Sequence, residues 1–567
     1  MRNRSMVIAL AITTTVALLG ILPNASARPS GKLREYVVQY EQGATLAEAR
    51  AAVEAAGGRI VGELTAIGAA KVVSKNANFI LDAAGQAALA GAARNRIIGY
   101  AEPALREKVD RVESLTAASK ARSDTVAVAD EAEPLAGLQW DMDMIDATVD
   151  GSYASQVGRP QVRVGIIDTG IDASHPDLND NVNTTLSRNF TTDIPLIDGP
   201  CNQEPDHSCS DPATVDEGGH GTHVAGTVAA ELNGLGIAGV APNVTLVNLR
   251  AGQDSGFFFL FETLAAYQYA ATHGIDVVNM SFFTDPWLFN CRDNPLDSAE
   301  EQEEQATVID LSNQALNFAS SHGVTLVAAE GNEHTDLGNP TFDNISPDYP
   351  PGTEKVRDNI TNDCLVIPTE GDHVLSISSL GPSERKSYFS NYGLEQTVVS
   401  APGGDRRDFP GTPLYNTAGL RVLSTYPAEL AKEEGLVTGN LKPRTPLAVV
   451  DCIGQGASRV CGVYVYLQGT SMASPHATGV AALIVSEFGS GSGGGFSYPP
   501  ALVEAKLRST ATPHDCPTVS SAELYPDLVG ADPNVPFEDQ VCVVDPSDPT
   551  RNGWYGDGII NALGAVS

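Results

Sequence analysis

Four residues in separated stretches have the types needed for nucleophilic catalysis: Asp168, His220, Asn332 and Ser471, in that order along the chain. A serine hydroxyl is a poor nucleophile at its own pKa, so it needs a base within hydrogen-bond reach. The base in turn needs an acid that fixes its tautomer and stabilises the imidazolium. His220 and Asp168 suit those roles. A tetrahedral intermediate also needs preorganised donors, which the Asn332 amide and the Ser471 backbone N–H can supply. Each residue alone has a plainer reading. Ser471 can belong to a Ser-Thr pair capping a core helix, and Asp168 can cap the turn that follows it. His223, three residues after His220, reads as a satisfied structural histidine. The two histidines lack the spacing and the glutamate of the zinc-protease signature.

The elements expected to position these residues alternate between strand and helix. Val162–Ile167 is a near-continuous apolar run, as in a strand buried on both faces, and it ends at Asp168-Thr169-Gly170. In open α/β sheets ligands bind beyond the carboxyl ends of the strands, which places Asp168 where chemistry occurs. His220–Ala230 reads as a small-residue helix that begins with its histidine. Val324–Ala328 reads as a strand leading to Glu330-Gly331-Asn332. In the stretch Gln468–Gly479, Ser471 follows a Gly-Thr turn signal and precedes a buried helix over Met472–Phe488. Its unpaired N–H groups and macrodipole favour developing negative charge. Pro475 is tolerable in the first turns. Strands at Val244–Leu249 and Asp276–Met280 and helices at Phe261–His273 and Leu311–His322 complete the pattern of a doubly wound, mostly parallel α/β sheet. Between them lie four long segments read as irregular, Thr191–Glu217, Asp285–Glu304, Glu333–Pro368 and Pro427–Tyr464, which hold most of the cysteines.

At 567 residues the chain is long enough for two or more units, and 42% hydrophobic content supplies a core. A net charge of -35 and a pI near 4.5 argue against nucleic acid or anionic membrane as partners and fit a soluble protein able to bind calcium. Residues 1–27, with Arg2, Arg4, an apolar run from Met6 to Leu22 and the end Ala25-Ser26-Ala27, read as a cleaved secretory signal; an uncleaved anchor is the alternative. All eight cysteines follow residue 200. Short loops suggest Cys201 with Cys209 and Cys452 with Cys461, and elimination leaves Cys516 with Cys542 and Cys291 with Cys364. No Cys-x-x-Cys pair supports a zinc site. Residues 28–103 read β-α-β-β-α-β, with strands Tyr36–Tyr40, Arg59–Leu64, Ala66–Val73 and Arg96–Ala101, and helices Thr45–Ala56 and Ala77–Arg94. That is the ferredoxin-like α+β order. Residues 104–137 lose periodicity and read as a linker open to cleavage, before a large unit at 138–567.

Taken together these stretches resemble the subtilisin-like serine proteases. Val164–Gly170 with Ile171-Asp172, His220–Gly226, Ala329–Asn332 and Gly469–Pro475 match the family's motifs in its chain order, and the likeness spans 138–567. The resemblance implies a secreted serine endopeptidase. In it Ser471 forms an acyl-enzyme, His220 is the base, Asp168 orients it and Asn332 serves the oxyanion hole. It further implies protein or peptide substrates, no cofactor for the chemistry, a monomer, and no nucleic-acid or membrane partner. Residues 28–103 resemble the family's inhibitory propeptide, removed by self-cleavage within the linker. Ser281, Phe282, Phe283, Ala329 and Gly331 take the places that line the substrate cleft. Asp177 and Asn233 sit where the family holds a structural calcium, although no N-terminal ligand is recognisable. The chain departs from the pattern at Ser281-Phe282-Phe283-Thr284, where Ser-x-Gly-Gly is usual. It departs again at Glu330, where a small residue is usual. Glu330 is expected to face solvent, with attraction of a basic substrate residue as the alternative. A catalytically silent binding protein and a transpeptidase that intercepts the acyl-enzyme with an amine remain open as other classes. His220 and Asn332 separate the chain from acid-active relatives with a Glu base and predict activity lost as pH falls.

Overall fold

The computed structural model describes residues 32–95, 133–203, 207–491, 496–529 and 537–567. The expected signal segment 1–27, the expected strand Arg96–Ala101 and most of the linker lie outside the described residues.

The N-terminal unit runs β1 (Arg34–Tyr40), α1 (Leu46–Ala55), β2 (Gly58–Leu64), β3 (Ala69–Ser74), α2 (Phe79–Ala84) and β4 (Leu89–Arg94). Its sheet is antiparallel in the order β2-β3-β1-β4. Thr45 caps α1 in a reciprocal box with Glu48: the Glu48 N–H donates to Thr45 Oγ1 at 3.3 Å and the Thr45 N–H to Glu48 Oε2 at 2.9 Å. One expectation fails here. The helix predicted over Ala77–Arg94 stops at Ala84, and its second half is the strand β4, paired with β1. Strand alternation divides β1 between two cores. Tyr36 and Val38 pack with Val53 and Phe79 beneath the unit's own helices, whereas Val37 faces the large unit.

The large unit continues with α3 (Trp140–Met144), β5 (Arg163–Ile167), β6 (Arg188–Asn189), α4 (His220–Ala229), β7 (Thr245–Arg250), α5 (Leu260–Thr272) and β8 (Val277–Met280). Then come α6 (Ala299–Ser321), β9 (Thr325–Ala329), the short pair β10 (Phe342–Asp343) and β11 (Arg357–Asp358), β12 (Val374–Leu380) and β13 (Thr397–Pro402). A seven-stranded sheet has the order β13-β12-β9-β8-β5-β7-β6, with every pair parallel. Its last functional stretch holds β14 (Val422–Thr425), α7 (Ala428–Glu433), β15 (Ala448–Ile453), β16 (Val460–Leu467) and α8 (Thr470–Phe488). The β14-β16-β15 strands form a separate antiparallel sheet, so Pro427–Tyr464 is not irregular as expected.

Alternate residues of the parallel strands face opposite layers. Val164, Val277 and Val327 pack with Val224 of α4 and Val480 of α8, while Ile167, Val278 and Leu326 pack with Leu264 of α5 and Leu311 of α6. This is the doubly wound arrangement expected for a sheet buried on both faces. The N-terminal unit covers α5 and α6: Val37, Leu64, Ile67 and Ala93 join their apolar cluster. Lys71 Nζ bonds Glu262 at 2.7 Å, and Arg94 bridges Glu300 and Glu304 at 2.5 Å each. Helix α6 begins twelve residues before the predicted Leu311, because Ser298 and Glu301 form a capping box ahead of a polar run.

All eight cysteines form the four expected pairs. Cys291–Cys364 joins two insertions that also share a fully buried Arg357, bonded to Asp297 at 2.8 Å and to Asp343 at 2.9 Å. Among the described residues no helix is long and apolar enough to cross a membrane.

Candidate functional site

The carboxyl end of β5 delivers Asp168, fully buried, beside the first residue of α4. Asp168 Oδ1 lies 2.8 Å from His220 Nδ1 and also accepts the Thr169 N–H at 2.8 Å. Burial by itself lowers the His220 pKa, but the Asp168 charge and hydrogen bond outweigh it and hold the ring above its ordinary value. Asp216, which sequence reasoning missed, organises this junction. Its Oδ2 accepts the Thr222 N–H at 2.8 Å, and its Oδ1 accepts Thr169 Oγ1 at 2.9 Å and the Gly219 N–H at 2.8 Å. An aspartate four residues ahead of a helix that starts with histidine was the available signal. The approach is so close that a Cβ on Gly221 would lie 2.1 Å from the Gly170 carbonyl oxygen. His223 is buried with Nε2 on the Val465 carbonyl at 2.9 Å, the structural role expected of it.

Ser471 is the second residue of α8. The Thr470 N–H donates to Asn332 Oδ1 at 2.9 Å and the Met472 N–H to the Gly469 carbonyl at 3.0 Å, while the Ser471 N–H has no acceptor among the described residues. Thr470 Oγ1 also donates to Asn332 Oδ1, at 3.0 Å. With its carbonyl pinned twice, Asn332 has its amide NH2 left to donate. The Ser471 hydroxyl makes a long 3.4 Å bond to the Ser281 carbonyl, so little holds it in place. Pro475 has no N–H to offer the Ser471 carbonyl four residues earlier, and Ser281 Oγ donates there instead at 3.1 Å. The side chain of Ser281 therefore braces the turn, also touching Ser474 Oγ at 2.8 Å, and the residue lines the cleft.

His220, Asn332 and Ser471 open into one cavity of about 530 Å³, together with Ser281, Phe282, Phe283, Ala329 and Gly331. Phe282, at the variable position of the Ser-x-Gly-Gly pattern, stacks on Phe258 with ring centres 4.1 Å apart and makes an aromatic wall. Phe283 packs against the Cys291–Cys364 cluster. Glu330 corrects the sequence reading: it is fully buried rather than solvent-facing. Thr397 Oγ1 donates to its Oε1 at 2.8 Å, and burial pushes its carboxyl up to about 8. Burial likewise pushes Lys386 down to about 7, near Glu330.

Asp177 is buried, and its Oδ2 accepts the Ile237 N–H at 3.2 Å and the Tyr464 hydroxyl at 3.0 Å, leaving Oδ1 without a partner. Glu133, a carboxylate the sequence reading did not single out, lies close enough to Asp177 to act on its charge. Its carboxyl is met by the N–H groups of Asn233, Gly234 and Leu235, and its Oε2 also lacks a partner. Burial raises Asp177 to about 8 and Glu133 to about 7. Two buried carboxylates, each with an orphaned oxygen, fit a bound cation. Asn233 fits less well, because its Oδ1 already accepts the Leu235 N–H at 2.9 Å. A second carboxylate group, Asp193, Asp211 and Asp254, has oxygens within 4.8 Å of one another, but Arg250 already stands among them as the cation.

Comparison with known proteins agrees with this geometry. A family model described as the subtilase family, Peptidase S8, matches residues 159–538. Subtilisin DY of Bacillus licheniformis is 27% identical over 351 residues, covering 62% of this chain and 84% of its own. A thermophilic serine proteinase of Bacillus sp. strain AK1 is 28% identical over 57% of this chain and 52% of its own. Among solved structures, the epidermin leader peptide processing serine protease of Staphylococcus aureus superposes with a TM-score of 0.59 at 19% identity, covering 94% of this chain and 98% of that one. Fervidolysin of Fervidobacterium pennivorans superposes at 0.53 with 20% identity, over 94% of this chain and 61% of that one. These two likenesses concern the fold.

Proposed function

The chain belongs to the subtilase family and is a serine-type endopeptidase, and from that premise we propose that Ser471, His220, Asp168 and Asn332 cut peptide bonds as follows. Ser471 Oγ attacks the substrate carbonyl while its proton passes to His220 Nε2, and Asp168 holds the Nδ1–H of the resulting imidazolium. The negative oxygen is met by the Asn332 amide and the Ser471 N–H at the head of α8. Collapse expels the amine, which takes the proton from His220. Water then hydrolyses the acyl-enzyme with His220 again as base. The observation that carries this reading is the 2.8 Å Asp168–His220 bond opening into the same cavity as a serine at a helix N-terminus. No step requires a cofactor. Glu133 and Asp177 are the residues that would hold a structural cation.

The same reading makes residues 1–27 a secretory signal and 28–103 a propeptide removed within 104–137, releasing a secreted, monomeric enzyme. Four disulfides favour an oxidising compartment. The ferredoxin-like unit seated on α5 and α6 favours the propeptide assignment. Ser471→Ala tests both parts at once. Peptide hydrolysis is expected to vanish and residues 28–103 to stay covalently attached; normal processing in a pure preparation would defeat the proposal. Fluorophosphonate labelling at Ser471 distinguishes the enzyme from a silent binding protein, and mass spectrometry of products distinguishes hydrolysis from transpeptidation.

A further inference from the structure

Asn332 follows a backbone position that only glycine can occupy. Gly331 has a φ of 110°, and a Cβ there would lie 2.3 Å from Asn391 Nδ2 and 2.7 Å from Glu333 Oε2. A glycine in that region leaves the next residue free to turn unless something beyond the backbone holds it. Two side chains do. The Asn332 N–H donates to Glu333 Oε2 at 2.9 Å, and Asn391, buried on the connection between β12 and β13, donates to the same oxygen through Nδ2 at 2.8 Å.

Asn391 uses its whole amide on this turn. Nδ2 also donates to the Glu330 carbonyl at 3.1 Å, while Oδ1 accepts the Glu333 N–H at 3.0 Å and the Thr335 N–H at 2.9 Å. Its own N–H donates to the Gly331 carbonyl at 3.0 Å. The amide's two donors and two acceptor sites are thereby all engaged. Exchanging its oxygen and nitrogen would set an NH2 against two N–H groups and an oxygen against two oxygens, so only one orientation serves. From the other side Thr470 Oγ1 accepts the Gly331 N–H at 3.0 Å and donates to Asn332 Oδ1 at 3.0 Å. Asn332 is thus held twice, by its side-chain carbonyl at the head of α8 and by its backbone N–H at Glu333. The direction of its NH2 group follows from both anchors.

Resting on the protease reading above, we infer that Glu333 and Asn391 are positioning residues for the oxyanion hole, which hold Asn332 rather than the substrate. Glu333 lines the cleft, where a carboxyl group invites a substrate-binding role. Its Oε2 is instead taken by two donors of the protein's own loop. An oxyanion donor is effective only about 2.7–3.1 Å from the place where charge develops, and a misplacement of about 1 Å can cost on the order of 10²-fold. An asparagine fixed before substrate arrives needs no reorganisation during the reacting step.

The test measures kcat and KM for peptide hydrolysis, per mole of folded full-length chain. Glu333→Ala, at a half-buried side chain, is expected to lower kcat by about tenfold, the scale of one hydrogen bond, with KM within about twofold. Glu333→Gln keeps an oxygen for the Asn332 N–H and should stay within about threefold of the unsubstituted protein. Asn391→Asp sets an oxygen against Glu333 Oε2 and the Glu330 carbonyl and should lower kcat at least as far as Glu333→Ala. In an Asn332→Ala background, Glu333→Ala should change kcat by less than about twofold, because the donor it positions is gone. A general structural role would slow both backgrounds alike. Should Asn332→Ala be too slow to follow, the loss confined to kcat and the rescue by Glu333→Gln decide. An unchanged kcat in Glu333→Ala, a loss confined to KM, a Glu333→Gln as slow as Glu333→Ala, or equal losses with and without Asn332 overturns the inference alone, provided Ser471 is still labelled by fluorophosphonate. An unsubstituted protein that neither cuts nor labels overturns the protease reading, and the inference with it.

Discussion

The molecule contains two Asp–His pairs, and they differ in what the second ring nitrogen meets. Asp168 and His220 are 2.8 Å apart, and Asp141 and His476 are 3.1 Å apart. Both carboxylates are fully buried, and both histidines lie on helices that pack together, α4 and α8. In the second pair His476 Nδ1 is bonded to the Met472 carbonyl at 2.8 Å and the side chain is sealed from solvent, so both ring nitrogens are occupied and neither can reach a substrate. In the first pair the ring is 13% exposed and borders the cavity with Ser471. A carboxylate–imidazole contact is thus as serviceable for packing as for chemistry. Access to one nitrogen decides between the two.

That contrast is broken or sharpened by substitution. Subtilisin, a relative of this chain, sets the scale for the largest losses: Ser471→Ala or His220→Ala should lower kcat by roughly 10⁶-fold and Asp168→Ala by roughly 3 × 10⁴-fold, read from initial rates of peptide hydrolysis. Asn332→Ala should cost on the order of 10²- to 10³-fold in kcat, again on the subtilisin scale, with little change in KM. At the sealed pair the effect should move from rate to stability. His476→Gln breaks a buried pair and should cost roughly 3–5 kcal/mol in denaturant unfolding, while kcat/KM of the folded fraction stays within about threefold; a catalytic loss like that of His220→Ala would erase the distinction.

The smallest effect is one of pH. Because the His220 pKa is held above 6.5 by Asp168, kcat/KM should fall as pH drops through that raised value and the base is protonated. Its contribution to stability has the opposite sign. The ion pair stabilises the fold below the unfolded pKa, and this is lost as pH rises through the folded one. A rate profile with its maximum near roughly pH 4 would contradict His220 as base.

The sheet and the placement of the four candidate residues were legible because of local pattern: an apolar run into Asp168, small residues after His220, a strand into Asn332, a Gly-Thr turn before Ser471. The failures share another cause. Ala77–Arg94 is alanine-rich and reads as helix, yet Gly85 ends the helix and pairing with β1 makes Leu89–Arg94 a strand. The first turns of α6 have no apolar period, although the Ser298–Glu301 box marks their start. Glu330 looked solvent-facing because its partners, Thr397 and Lys386, are more than fifty residues away. Glu133 was taken for linker because what it meets, the amides of 233–235, lies a hundred residues on. Local pattern announces elements, whereas the fate of a carboxylate depends on neighbours the local sequence does not display.

The small clip Cys201–Cys209 closes only eight residues of sequence separation. A cross-link over so short a loop removes little entropy from the unfolded chain, so it adds little to global stability. Its value is in shape, since the Asp193 N–H donates to the Cys209 carbonyl at 3.0 Å and Asp193 in turn bonds Arg250 at the end of β7. Mild reduction should therefore loosen this loop around Arg250 while leaving the fold intact.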